Sequence, residues 1–228
     1  MASAVQVEAK VSQAEANRLG TELTPMGANP KGNAAGTIPA YTGTVLGAPK
    51  NVDYKGTGTY YPNPYPNEKP LFVIDGKNYD KYKANLSDGQ IALFKKYPDT
   101  FKMKIYPTKR EVRYNDWIWK NVKQNAVEAE IVPSGNGVHG GVGGPPFPIP
   151  QNGVEVVWNH EYSPNIYFNE GEVGSAAVFN NGSTSMRKQM ESRYFPVFDP
   201  SLTRDEVIKA NFNAKVLVVV TDPPREKR

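Results

Sequence analysis

The chain has 228 residues and a formal net charge of +4, from 27 Lys and Arg against 23 Asp and Glu. Because charges of both signs are interspersed, the sequence does not predict the basic face that binds nucleic acid, and we expect no nucleic-acid partner. The absence of cysteine excludes disulfides, thiol nucleophiles and cysteine-ligated zinc.

The first ten residues, MASAVQVEAK, lack the apolar segment of a secretory signal. They look like the start of a mature protein whose signal peptide has been removed or replaced. The longest aliphatic run, Val216–Val220, is far shorter than a membrane-spanning segment.

The N-terminal region is predicted to contain one short helix and then a long irregular arm. Ser12 and Glu15 have the spacing of a capping box, which predicts a helix over Gln13–Leu19. From Thr24 to Pro70, recurrent prolines oppose regular structure, while frequent tyrosines make the stretch too aromatic for a plain linker. We expect this arm to lie extended over a folded body, held by its tyrosines.

The middle of the chain carries helix signals. Asn78–Leu86 has apolar residues near helical spacing, and Ser87 with Gln90 forms a second capping box. The segment Lys102–Tyr114 combines basic and aromatic residues, although its alternation fits a solvated edge strand equally well. Asn115 is a candidate N-cap for a helix that runs to about Ala129, with one apolar face formed by Ile118, Val122, Ala126 and Ala129.

The run NGVHGGVGGPPFPIP, Asn136–Pro150, joins a glycine-dense loop to a segment fixed by proline. Phosphate loops continue into a helix or end in Gly-Lys-Ser/Thr, whereas Pro145 and Pro146 follow here, so we expect a tight turn packed against neighbouring backbone. The next residues alternate between apolar and polar, which predicts a strand over Val154–Tyr162. Its apolar face would carry Val154, Val156, Trp158, His160 and Tyr162.

The C-terminal part is predicted to contain more strands. Asn181-Gly182 indicates a hairpin turn, and Thr203 with Glu206 forms a third capping box, for a helix to about Asn211. The predicted strands are Ile166–Phe168, Ala176–Asn180, Thr184–Phe195 and Val216–Thr221. We therefore predict an α+β fold with a curved antiparallel sheet and short helices. It forms one domain over residues 1–228, in which 1–150 is a helical and irregular covering region and 151–228 begins the sheet.

The sequence predicts no catalytic residue, metal site or cofactor. His139 and His160 are the two histidines, and no Gly-x-Ser-x-Gly nucleophile elbow occurs. Carboxylate pairs such as Glu170 and Glu172 cannot be placed across a cleft from sequence, so an enzyme that acts on glycans stays a less favoured alternative.

Four segments carry a family resemblance: Leu23–Gly43, Tyr61–Phe72, Leu86–Arg110 and Asn136–His160. With them the chain resembles the bacterial family called domain of unknown function 1329, whose fold is similar to the LolA/LolB lipoprotein carriers. The resemblance implies a half-open antiparallel barrel, of which this chain is the N-terminal portion. It also implies residence in the periplasm or at the outer membrane, near transporters and outer-membrane barrels, and it supplies no catalytic residues.

We therefore expect a non-catalytic protein that carries or chaperones a lipid or other hydrophobic molecule in envelope transport. The expected ligand-binding residues are Val156, Trp158, Phe179 and Phe195, with His160 at the mouth. The alternative is an envelope scaffold whose arm binds a partner through Tyr60, Tyr61 and Tyr65. In either case Val216–Thr221 would be an edge strand that pairs with another copy or with further strands.

Overall fold

The computed structural model describes residues 10–56, 58–210 and 214–222. The chain divides into two compact units: a central unit, Pro30–Arg113, and a terminal unit that comprises residues up to Asn29 and from Tyr114 onward. Helices and small antiparallel sheets confirm the α+β class, and the described strands do not close into a barrel. The single domain over residues 1–228 stays a prediction.

The helices in chain order are α1 Gln13–Ala16, α2 Asp88–Lys96, α3 Asp116–Glu128, α4 Gly153–Glu161 and α5 Arg204–Ala210. Two 3₁₀ helices cover Tyr79–Asn85 and Pro196–Phe198. The strands are β1 Phe72–Ile74, β2 Met103–Ile105, β3 Glu130–Ile131, β4 Val138–His139, β5 Phe168–Val178, β6 Thr184–Tyr194 and β7 Lys215–Asp222.

The predicted helix caps are present. Ser87 and Gln90 form a reciprocal capping box at α2, and Thr203 and Glu206 do so at α5. The Asn115 side chain accepts from the backbone N–H of Ile118 and begins α3. Ser12 caps α1, which ends at Ala16 and is therefore shorter than predicted. The predicted end of α5 at Asn211 lies outside the described residues.

The arm in the central unit is irregular, as predicted. Tyr65 attaches it to the body, because its hydroxyl donates to a Glu111 carboxylate oxygen and its ring lies 4.6 Å from the Lys109 ammonium. The Arg110 guanidinium also donates to the backbone carbonyls of Lys31 and Pro39. Elsewhere in this unit, antiparallel pairing of β1 with β2 confirms an extended segment within Lys102–Tyr114.

The terminal unit has a core built around α3. Val122, Ala126 and Ala129, on the predicted apolar face, are buried. A first hydrophobic cluster packs α1 against Ala126, and a second consists of Val142, Tyr162, Val197, Phe198 and Val207. The first cluster includes Ala126 of α3, and the second includes Val142 of the glycine loop.

The glycine loop packs tightly against α3, as expected. Gly144 lies so close to Val122 that an added Cβ would come within 2.9 Å of the valine Cγ2 atom. Asn125 is fully buried and holds the loop, since its side chain donates to the Val142 carbonyl at 2.9 Å and accepts from the Val142 N–H at 3.1 Å. Only residues without a side chain fit against the helix at this distance.

The predicted strand over Val154–Tyr162 is wrong: the segment is helix α4. Asn152 caps it by accepting from the Glu155 N–H at 3.1 Å, and a Glu155 carboxylate oxygen accepts from the Gln151 N–H at 2.7 Å. Four residues then face inward at helical spacing, namely Glu155, Trp158, Asn159 and Tyr162. The short apolar-polar alternation was compatible with either period, and the capping residues determine the outcome.

The largest sheet has the strand order β5-β6-β7, all antiparallel. The hairpin at Asn181-Gly182 is confirmed, with Gly182 in the left-handed region at φ 80°. The strand predicted over Val216–Thr221 is confirmed as β7. Two short predicted strands merge into the single strand β5, which begins at Phe168.

Candidate functional site

Two of the five expected ligand-binding residues, Trp158 and Phe195, line the same cavity in the terminal unit. This space, the Trp158 cavity, has a volume of about 230 Å³ and is also bordered by Tyr162, Val197 and Phe198. It lies where the C-terminal part of α4 meets the 3₁₀ helix Pro196–Phe198. Trp158 and Tyr162 both border the cavity because they lie one helical turn apart, on the same face.

The other three expected residues do not line this cavity. Val156 is 54% exposed because the helical period turns it away from Glu155 and Trp158. His160 is exposed on the same helix. Phe179 is also 54% exposed, beside the hairpin at the end of β5. The concave strand face that would have joined these residues does not form.

A larger space, the glycine-loop cavity, has a volume of about 350 Å³. It is lined by the backbone of Gly137, Gly140 and Gly141 and by the side chains of Val197 and Val207. Tyr162 and Val197 border both cavities. The two spaces are therefore adjacent, and they share Tyr162 as part of their walls.

Tyr162 was not among the expected ligand-binding residues. It is only 8% exposed, and its ring meets Trp158 edge-on at 6.4 Å between centroids. Burial raises its pKa above the ordinary value of tyrosine, so the hydroxyl stays protonated at neutral pH. The predicted strand already placed Tyr162 on the same face as Trp158, and the helix does so too, because the two residues are one turn apart.

Polar contacts fix the position of α4 against the loop. The Asn159 side chain accepts from the Phe147 N–H at 2.8 Å and donates to the Phe147 carbonyl at 2.6 Å. The buried Glu155 carboxylate binds the segment that precedes the helix. These contacts add to the apolar packing of Trp158 and Tyr162 on the inner face of the helix.

Arg204 connects α5 to both α3 and the glycine loop. Its guanidinium donates to the Asn125 side-chain oxygen at 2.8 Å, to Glu128 at 2.6 Å, and to the Gly140 carbonyl. Burial raises the pKa of Glu128, but the Gln124 hydrogen bond and the Arg204 charge outweigh it, so the pKa lies below its ordinary value. The wall of the glycine-loop cavity is thus held by a charged network.

The sheet has a second apolar surface. Four consecutive residues of β7 are between 42% and 62% exposed: Val216, Leu217, Val218 and Val219. Because neighbouring strand residues point to opposite faces, apolar groups are exposed on both sides. No strand in the described part of the chain pairs with the outer edge of β7. A groove of about 230 Å³ borders Phe168, Tyr194 and Leu217 on one face.

The tyrosines of the arm differ in exposure. Tyr60 is 100% exposed and Tyr61 is 74% exposed, with the Tyr61 ring stacked on Tyr54 at 5.7 Å. Tyr65 is bound to Glu111, and this hydrogen bond raises the pKa of the tyrosine and lowers that of the carboxylate. Tyr60 and Tyr61 remain available on the surface, whereas Tyr65 serves the attachment of the arm.

The ionisable groups near the cavities are few. Among the described residues that border the two cavities, Glu161 is the one carboxylate and His139 the one histidine. The part of the chain that the structure describes contains no cluster of three or more His, Asp or Glu suited to a metal ion. No helix within the same residues has the length and apolar character needed to cross a membrane.

Comparison with known proteins shows one family. The family model described as "Protein of unknown function (DUF1329)" matches residues 73–227. The uncharacterized protein PA3922 of Pseudomonas aeruginosa is 46% identical over 157 residues, which are 69% of this chain and 34% of that protein. The chain thus matches about a third of the length of this curated relative. No solved structure matches the chain.

Proposed function

The chain belongs to the DUF1329 family of proteins of unknown function. We propose from the geometry that it binds a lipid or other hydrophobic molecule without catalysis, and from the family resemblance that it carries or chaperones this molecule in envelope transport. The observation that carries the proposal is the pair of adjacent cavities on either side of Tyr162. Trp158 and Phe195 line one of them. The wall of the other combines valine and isoleucine side chains with polar backbone groups of the glycine loop.

The size of the cavities limits the ligand. Known ligand pockets enclose roughly 300 to 1,000 Å³, and the glycine-loop cavity, at about 350 Å³, lies near the lower end. An acyl chain that buries about six methylenes gains about 5 kcal/mol, which corresponds to a dissociation constant below about 1 mM. A single acyl chain or a small ring system therefore fits better than a complete diacyl lipid.

Tryptophan emission tests the proposal. Fatty alcohols or sterols are titrated into the wild-type protein, and native mass spectrometry looks for ligands that co-purify. We expect the emission to change on binding, and the response to be lost in Trp158→Phe but retained in Trp119→Phe, because Trp119 borders neither cavity among the described residues. No co-purifying molecule and no change in emission would contradict the proposal.

A second candidate function is self-association through the sheet, favoured by the exposed apolar residues of β7. An unpaired edge with free backbone groups readily accepts another strand, and a second copy of this chain supplies one. Analytical ultracentrifugation should show association that Val218→Lys abolishes and Val178→Lys retains. Val178 is the matched control, since it is 72% exposed but lies on β5. A wild-type monomer at every concentration would exclude this candidate.

The arm is the third surface to which we assign a role, as a contact for a transporter or outer-membrane component. Tyr60 and Tyr61 support it, because large aromatic side chains at full exposure are typical of contact sites. The double variant Tyr60→Ala/Tyr61→Ala should lose a co-purifying partner and keep ligand binding. Retention of the partner by the double variant would contradict this role.

Residence in the periplasm or at the outer membrane, and a half-open barrel similar to LolA/LolB, are the remaining parts of the proposal. The family resemblance supports the location, and the antiparallel order β5-β6-β7 with an open β7 edge is compatible with such a barrel. Fractionation of the source cells tests the location. Recovery of the protein in the cytosolic fraction would contradict it.

A further inference from the structure

Among the described residues that border both cavities, Tyr162 is the one with a polar side chain. It borders both cavities and is 8% exposed. Its hydroxyl makes no hydrogen bond to any residue that the structure describes, and the oxygen is not completely shielded from solvent. A protonated hydroxyl on a residue that borders both cavities, without a partner among the described residues, can donate to a ligand atom.

The neighbouring charges indicate which ligand atom would accept. Neither cavity is bordered by a described lysine or arginine. His139 lies with its Nδ1 atom 3.8 Å from a Glu130 carboxylate oxygen, and Glu161 places a negative charge at the Trp158 cavity. An anionic headgroup would therefore lie near the like charge of Glu161, with no described lysine or arginine at either cavity to balance it. A neutral oxygen avoids this repulsion.

We propose that Tyr162 is the anchor of the ligand: its hydroxyl donates a hydrogen bond to the carbonyl, ether or alcohol oxygen of a small neutral molecule, whose apolar part fills the adjoining cavities. This inference rests on the proposed function and names the ligand class for the same site. The ligand class is a neutral ketone, ether, ester or alcohol with one apolar body, and fatty acid anions and diacyl phospholipids lie outside it.

Three probes of similar ring size test the inference: cyclohexanone, methylcyclohexane and cyclohexanecarboxylate. Ligand-observed NMR titrations give the dissociation constant of each for the wild-type protein, Tyr162→Phe and Tyr167→Phe. Tyr162→Phe removes the hydroxyl and keeps the ring, and Tyr167→Phe is the matched control because Tyr167 is 44% exposed and borders neither cavity among the described residues.

We expect Tyr162→Phe to weaken cyclohexanone binding about fivefold, the factor for one net hydrogen bond. Methylcyclohexane should bind both proteins equally, cyclohexanecarboxylate should bind neither, and Tyr167→Phe should match the wild type. Equal weakening of cyclohexanone and methylcyclohexane, or no weakening of either, would overturn the anchor while leaving a hydrophobic site in place. Preferential binding of the carboxylate would overturn the neutral ligand class. If no probe binds, the inference and the proposed function fail together.

Discussion

The strongest stability prediction concerns Asn125, whose amide is fully buried between α3 and the glycine loop. Its amide nitrogen donates to the carbonyls of Val142, Gly144 and Pro145, at 2.9, 3.3 and 3.1 Å. Its oxygen accepts from the Val142 N–H and from Arg204. In Asn125→Leu, a side chain of similar size can neither donate nor accept, so these groups lose their partner at once.

Each buried polar group that loses its partner costs about 1 to 3 kcal/mol. Even if water or local relaxation compensates some of these groups, Asn125→Leu should lower the free energy of unfolding by about 3 to 5 kcal/mol. Asn125→Asp should also be costly, because its carboxylate cannot donate to the carbonyls of Val142, Gly144 and Pro145 and is repelled by their oxygens. Since leucine and aspartate are both close to asparagine in size, a large cost in both variants reports the lost hydrogen bonds, and not the volume of the side chain.

Urea unfolding followed by tryptophan emission measures the effect, since all three tryptophans belong to the terminal unit. Gln124→Ala is the control on the same helix. Among the described residues its amide binds the exposed Glu128 side chain alone, so its cost should stay within about 0.5 kcal/mol. An Asn125→Leu variant within about 1 kcal/mol of the wild type would refute the idea that this amide holds the loop.

Two further predictions concern local contacts. Asn152→Ala should lower the free energy of unfolding by about 1 kcal/mol, because α4 loses its N-cap, and Asn152→Ser should restore most of the loss in the same urea assay. The Tyr65–Glu111 hydrogen bond lowers the carboxylate pKa and raises the tyrosine pKa. Its contribution should be complete between about pH 4.3 and pH 10, and should be lost as pH falls through the lowered pKa or rises through the raised one. Tyr65→Phe should remove both dependences from thermal unfolding measured by circular dichroism, and an unchanged pH profile would contradict this assignment.

Features that depend on a few neighbouring residues could be predicted from the sequence. The capping boxes at Ser87 and Thr203 lie within one helical turn, so the spacing of their side chains determines the helix start directly. The hairpin at Asn181-Gly182 is equally local, because glycine adopts the left-handed conformation without strain. Each of these signals requires no knowledge of the rest of the fold.

The wrong strand prediction at α4 has a physical cause, and the sequence also contained a signal for the helix. Asn152 and Glu155 have the spacing of a cap and its third helical residue, but the alternation that follows them is typical of a strand. A strand would have placed Val156 and Trp158 on one face, whereas the helix separates them. The candidate site was therefore predicted in part: Trp158 and Phe195 meet, while Val156 and Phe179 do not.

The position of Tyr162 between two cavities could not be predicted, because it depends on segments far apart in the sequence. The 3₁₀ helix Pro196–Phe198 and the glycine loop both reach the tyrosine only in the folded chain. Whether a buried hydroxyl has a partner depends on distances of a few tenths of an ångström, which spacing along the chain does not encode. A match to the family does not supply these distances either.

The composition of the loop explains why space remains beside Tyr162. Side chains normally fill a protein interior to the density of an organic crystal, but Gly137, Gly140 and Gly141 contribute none to this wall. The prolines that follow fix the backbone, so the loop cannot collapse inward to close the gap. Hydrogen bonds from Asn125 and Arg204 hold that backbone in place and supply no apolar volume. The cavity is thus a consequence of a wall that is made largely of backbone.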